Sequence, residues 1–137
     1  MTEPLLALRT SVRAALLADP DVLALVPADR IRAGWVRSDD ATAITLRDGG
    51  TAYLGRAAGG QVVARCALYL DAWGDDADLA QRIGGAVARC LLDAPAVEGL
   101  NLDDWNRPAF VWMRDPDPAR TMAHGAATLA CVARWRP

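Results

Sequence analysis

From Gln61 to Trp73 the chain reads QVVARCALYLDAW and alternates without a break. Val62, Ala64, Cys66, Leu68 and Leu70 are apolar throughout. The interleaved set, Val63, Arg65, Ala67, Tyr69 and Asp71, mixes polar, small and aromatic residues. Successive side chains of a strand point to opposite faces. The pattern therefore predicts a central strand with one face on the core and the other toward water, a lumen or a partner. Gly74 ends it. A chain organised this way must contain a sheet, and its apolar face needs a cover.

Two helical patterns supply that cover. In Pro4 to Ala18, Leu5, Leu8, Val12, Ala15 and Leu16 recur at three- and four-residue steps and share a face. Pro4 suits the first turn, with Thr2 or Glu3 as cap. Arg9 and Arg13 lie on the flank, solvated or turned to a neighbour. The second helix runs from Asp78 to Leu92 with the stripe Leu79, Ile83, Ala86, Val87, Cys90 and Leu91. Asp75, Asp76 or Asp78 can cap it. Gly84 and Gly85 each cost about 1 kcal/mol against alanine, which implies close approach of the helix to the sheet, or a bend. A short helical turn, Val22 to Val26, is capped by Asp21 and stopped by Pro27.

The last third forms an extended pair. Ala109 to Arg114 is rich in strand formers, and His124 to Trp135 resumes the pattern. Between them Asp115-Pro116-Asp117-Pro118 cannot continue a ladder, because proline has no N–H to donate. The two runs read as a wide antiparallel hairpin. Further strands are expected at Ile31 to Val36, at Ala43 to Leu46 (stopped by Asp48-Gly49-Gly50) and at Leu100 to Leu102. Thr51 to Gly60, TAYLGRAAGG, reads as a glycine-rich excursion between strands. The sum is a single α+β domain over residues 1–137, a mainly antiparallel or mixed sheet with two helices on one face.

At 137 residues such a chain buries roughly 68% of its unfolded surface. No run reaches the ~18 apolar residues of a membrane span, and Glu3 and Pro4 stand where an export signal needs positive charge. A soluble intracellular product, with no membrane partner, is expected. Cys66, Cys90 and Cys131 lie far apart within apolar segments and read as small buried hydrophobes; a disulfide or metal site would need closer spacing. The net charge of −2 excludes bulk electrostatic binding of nucleic acid. All fifteen basic residues are arginine. They are scattered, as a GC-rich coding bias would leave them, although arginine's planar fork also suits subunit contacts.

Catalytic chemistry finds no footing. His124 is the only histidine, and on an ideal strand Cys131 points to the opposite face. Gly49-Gly50, Gly59-Gly60 and Gly84-Gly85 lack the context of a phosphate cradle. Asp39-Asp40, Asp75-Asp76-Asp78, Asp103-Asp104 and Asp115-x-Asp117 read as caps and solvated loops rather than cation ligands. No catalytic residue, cofactor or metal is expected. Five tryptophans, Trp35, Trp73, Trp105, Trp112 and Trp135, fall at strand ends or on faces turned from the helices; some must be core, and an indole at a sheet edge or face is one that anchors protein contacts. The residues describe a non-catalytic assembly protein.

Three stretches carry a family resemblance: EPLLALRTSVRAALLADPDVLALVPADRI at the start, RCALYLDAWG before a helix, and FVWMRDPDPARTMAHGAATLACVARW at the end. Together they resemble the tail-completion (tail-terminator) proteins of long-tailed phages and phage-derived gene transfer agents. Arg114-Asp115-Pro116-Asp117 and His124-Gly125 are similar to that family's terminal hairpin. The segment after Arg30 and the loop around Gly55 to Gly60 depart from it. The resemblance implies a virion neck protein: a homo-oligomeric ring, typically a hexamer, on the head-proximal end of the tail tube. Such a ring ends tube polymerisation, joins the tail to a stopper or connector protein, and lets DNA pass through its lumen. Arg56, Arg65, Arg107, Arg114 and Trp112 are the expected interface residues. A stopper-like connector, a small binding module and a small enzyme are the competing readings.

Overall fold

The computed structural model describes residues 3–34, 42–114 and 122–137. Its centre is a long antiparallel hairpin, β2 (Ala43–Ala57) and β3 (Gln61–Gly74), turned by Ala58–Gly60. β6 (Ala123–Trp135) pairs antiparallel with the whole of β3, from Val62↔Trp135 to Gly74↔Ala123. Beyond β6 lie β4 (Asn101–Asp103) and β5 (Val111–Arg114), both antiparallel to it and end to end along one edge. On the opposite flank β1 (Ile31–Ala33) runs parallel to Ala43–Leu46. The sheet is mixed, and the fold is α+β as the sequence predicts.

Helix α1 (Pro4–Leu17) is capped by Glu3, whose Oε2 accepts from the Leu6 N–H at 2.8 Å. That carboxylate satisfies one of the amides a helix start leaves unpaired. Leu8, Val12 and Leu16 are fully buried along its inner stripe. The flanking arginines are tied to the sheet rather than solvated: Arg9 Nη1 donates to Asp48 Oδ2 at 2.7 Å, and Arg13 Nε to the Ile31 carbonyl at 3.0 Å. The short α2 (Pro20–Leu25) starts earlier than expected, because Asp19, not Asp21, caps it and Pro20 occupies the first turn. Helix α3 (Ala77–Cys90) is capped by Asp76, which accepts from the Leu79 N–H at 2.8 Å.

The helices meet the sheet through Ile44, Leu46, Ala64, Cys66, Leu68, Leu70, Leu129 and Cys131, all buried in one cluster with Ile83, Val87 and Leu91 of the α3 segment. The alternation read in β3 is therefore the face assignment observed.

Residues 51–60 differ from expectation. Asp48-Gly49-Gly50 does not stop β2, and TAYLGRA is strand, paired with β3 as far as Ala57↔Gln61. The register shifts twice, between Asp48 and Gly50 and between Tyr53 and Gly55. Gly50 and Gly55 sit at φ +139° and +127°, a backbone region L side chains avoid. Each glycine absorbs a bulge, so the ladder resumes on the far side. What reads as loop composition is a strand with two built-in kinks. Of the strand expected at Ile31 to Val36, the part beyond Gly34, Trp35 included, lies outside the described residues, as do Asp39-Asp40 and the Asp115–Pro118 turn.

Candidate assembly surfaces

The helices cover one face of the sheet and leave the other uncovered among the described residues. The uncovered face has a polar cluster at each end, with Arg65 and small residues between. At one end stand Thr45, Arg47, Tyr69, Asp71, Trp73 and His124. At the other, Arg134 holds Asp103 (Nε to Oδ2, 2.5 Å) and donates to Gln61 Oε1 at 3.0 Å. Ala67, Ala126 and Ala130 lie between them.

Asp71 anchors the first end. It is 2% exposed, although its place in the β3 alternation put it with the outward set. Arg47 Nε donates to Oδ2 at 2.7 Å, His124 Nε2 donates to Oδ1 at 2.7 Å, and Thr45 Oγ1 reaches Oδ2 at 3.4 Å. Trp73 Nε1 donates to Thr45 Oγ1 at 3.4 Å, and its ring stacks on the His124 imidazole at 3.9 Å, within 1° of parallel. Arg47 also lies over the Tyr69 ring at 5.3 Å. Burial alone would push the Asp71 carboxyl up, but the hydrogen bonds from His124 and Arg47 outweigh it and hold the group below its ordinary range. The same bond to Asp71 raises the Arg47 guanidinium. The partners of the carboxylate come from β2 and β6, so the cluster ties three strands together. His124 is held between the Asp71 carboxylate and the Trp73 ring.

The tryptophans divide. Trp73 lies on the uncovered face. Trp135 is 2% exposed and faces the helix side, with the Tyr53 ring at 6.2 Å. Trp105 donates from Nε1 to the Leu91 carbonyl at 3.0 Å. Trp112, read as turned from the helices, lies on their side: its ring fits between Gly84 of α3 and Gly125 of β6, stacked on Phe110 at 5.3 Å. Strand parity decides this, since Trp112 pairs with Gly125 and shares its face. The outer part of the indole stays exposed.

The expected interface arginines are all exposed and lie apart. Arg65 is central on the uncovered face, Arg56 near the hairpin tip, Arg107 in the β4–β5 connection and Arg114 at the end of β5. The structure brings no two of them into one cluster. The cysteines are closer than sequence spacing implied: Cys66 and Cys131 are direct cross-strand partners, both free. Linear separation hides this because only register reveals it. A hydrogen bond to Cys66, then burial, raises the Cys131 thiol, and burial pushes the Cys90 thiol up to about 11.

Among the described residues no group of three or more His, Cys, Asp or Glu is placed to hold a metal ion, and no helix is long and apolar enough to cross a membrane. A concavity of about 590 Å³ between α1 and the chain end is lined by Ala7, Thr10, Ser11, Glu98, Trp135 and Arg136 among others. Thr10 Oγ1 there is committed to the Leu6 carbonyl at 2.8 Å.

Among the described residues the sheet is covered by helices on one face only, and the Asp71 and Arg134 clusters on the other face tie its strands together. The sequence matches the tail completion protein gp17 family over residues 10–132, and the chain belongs to that family. By that membership it is a structural tail-completion protein, not an enzyme. Among solved structures it is similar to a chain of the virion of a native gene transfer agent particle, at 15% identity with a TM-score of 0.68. The match covers 97% of this chain and 99% of that one, and shows a shared fold. No curated protein matches.

Proposed function

We propose that the protein forms a homo-oligomeric ring, a hexamer, on the head-proximal end of a tail tube. There it ends tube growth, joins the tail to a stopper or connector protein, and lets DNA pass. Family membership sets the context. The observation that carries the ring is the sheet itself: among the described residues the helices lie on one side, leaving a second face and two unlike flanks for other chains. A closed ring needs heterologous contacts, in which each subunit offers two different surfaces. A net charge of only −2, spread over both signs, also suits a channel along which DNA slides, since few counterions are displaced.

Arg56, Arg65, Arg107, Arg114 and Trp112 are assigned to these contacts. Reversing the charge of Arg65 or Arg114 should weaken ring formation, and an unchanged size-exclusion profile would refute their role. Electron microscopy tests the reading as a whole. Purified protein should give annuli, and tubes grown without it should overrun their normal length. A monomer at every concentration, with no effect on tubes, would overturn it.

A further inference from the structure

Cys66 and Cys131 stand directly opposite each other on β3 and β6. Both are free and both are buried in the helix-side core. Two contacts fix how their backbones meet. The Asn106 N–H donates to the Ala130 carbonyl at 3.0 Å, so Ala130 turns its polar groups away from β3. The Ala67 carbonyl oxygen lies 2.7 Å from the Cβ position of Gly49, so Ala67 turns its own toward β2. Neighbouring residues of a strand alternate in this respect. Cys66 and Cys131 therefore aim their N–H and C=O groups at each other, and such a hydrogen-bonded pair holds its Cα atoms about 5.5 Å apart. That separation lies within the range of about 4.4–6.8 Å that a disulfide spans.

The side chains suit the same chemistry. A thiol reacts as its thiolate. The hydrogen bond with Cys131 lowers the Cys66 thiol, against burial and with help from Thr51. The same bond, with burial, keeps the proton on Cys131. One member of the pair is thus the readier to ionise, and the other stands beside it to resolve what forms. Cys90 is engaged elsewhere, its Sγ donating to the Ala15 carbonyl at 3.5 Å.

We propose that Cys66 and Cys131 are a redox pair that closes to a cross-strand disulfide, tying β3 to β6 when the protein meets an oxidising medium. A small two-electron oxidant, hydrogen peroxide, serves. It converts the Cys66 thiol to a sulfenic acid and releases one water. The Cys131 sulfur then attacks that sulfur, and the departing hydroxide takes the Cys131 proton to form a second water. The two thiols lose two electrons and two protons, and the peroxide is reduced. The bond encloses α3, β4 and β5 between its ends, so it constrains the unfolded chain. Cβ atoms of directly opposite residues lie ~4.5–5.5 Å apart, wider than the ~3.8 Å of a relaxed disulfide. The bridge is therefore strained and readily reduced. Thiols stay reduced in a cytosol and pair outside one, so the pair distinguishes the two settings.

Counting thiols tests it. Reduced protein is treated with hydrogen peroxide in native buffer, quenched with catalase, unfolded in urea and alkylated with iodoacetamide. The intact mass should show one adduct, on Cys90, and proteolytic peptides should show Cys66 joined to Cys131. Cys66→Ala and Cys131→Ala should each leave both remaining thiols free to alkylate. If either unfolds, Cys90→Ser keeps the pair and should take no adduct after peroxide. The oxidised chain should unfold at higher urea than the reduced one, and return to the lower midpoint after equilibration with excess reduced glutathione. Three adducts, a bond to Cys90, or oxidation of Cys66 to a sulfinic acid without a bond would overturn the pair. An equal urea midpoint, or a bond that glutathione leaves intact, would overturn its role as a reversible tie. None of these readouts depends on ring formation.

Discussion

Gly84 of α3 lies under the indole of Trp112: a Cβ built at Gly84 would stand 2.5 Å from the ring's Cη2. Gly125 of β6 meets the same ring from the other side, closer still. Two glycines from different elements thus form the slot that seats one tryptophan on the helix side of the sheet. The neighbouring Gly85 has nothing within 4 Å of its Cβ position. The Gly-Gly pair that weakens α3 therefore has one working member.

Gly84→Ala and Gly125→Ala should each destabilise by ~1–3 kcal/mol, because the indole must shift from a filled slot. Gly85→Ala should stabilise by up to ~1 kcal/mol, the helix-propensity gain at an exposed site. Urea unfolding of the three variants checks this. Equal effects at Gly84 and Gly85 would mean the slot is not tight.

Gly55 carries φ +127° with open space around its Cβ position, so only backbone strain opposes a side chain there. Gly55→Ala should cost ~1–3 kcal/mol. The loss should be local to the outer hairpin, since residues 52–56 are all exposed and bury little. Hydrogen exchange should quicken at Ala52–Ala57 while β6 and α1 keep their protection.

Cys66 and Cys131 are 0% and 2% exposed, and the Cys90 thiol is held at about 11 by burial. A thiol reacts as its thiolate. At neutral pH in native buffer, iodoacetamide should leave Cys66 and Cys131 unmodified over hours and label Cys90 slowly. All three should react once urea crosses the unfolding midpoint. Mass spectrometry of the intact chain counts the adducts directly.

Periodicity made much of this fold legible. The β3 alternation gave both sheet faces, and the stripe through Leu8, Val12 and Leu16 gave the inner side of α1. Glu3 and Asp76 were readable as caps because unpaired amides at a helix start demand such side chains. Residues 51–60 were not readable, because glycine signals a loop by composition whereas a bulge uses it inside a strand. The Asp71 cluster was hidden for another reason. Arg47, Asp71 and His124 lie on three strands far apart in sequence, and only their pairing registers bring them together. The placement of Trp112 likewise required the register of β5 on β6.

Asp71 makes the stability of the fold depend on pH. Its carboxyl is held below the ordinary value of 3.8 in the folded protein by His124 and Arg47, whereas the unfolded chain titrates near that value. The folded state therefore binds the proton less readily than the unfolded state. Its contribution is fully present above the unfolded value and is lost as pH falls through the lower, folded one. Asp71→Asn keeps the shape but removes the charge that Arg47 and His124 answer. It should cost about 1.5–3 kcal/mol at pH 7, the range for hydrogen bonds to charged groups. The gap between wild type and variant should stay level down to about pH 5 and narrow below pH 4. Urea titrations of both proteins across that window measure it. A gap that holds constant to pH 2 would show that Asp71 acts through shape alone.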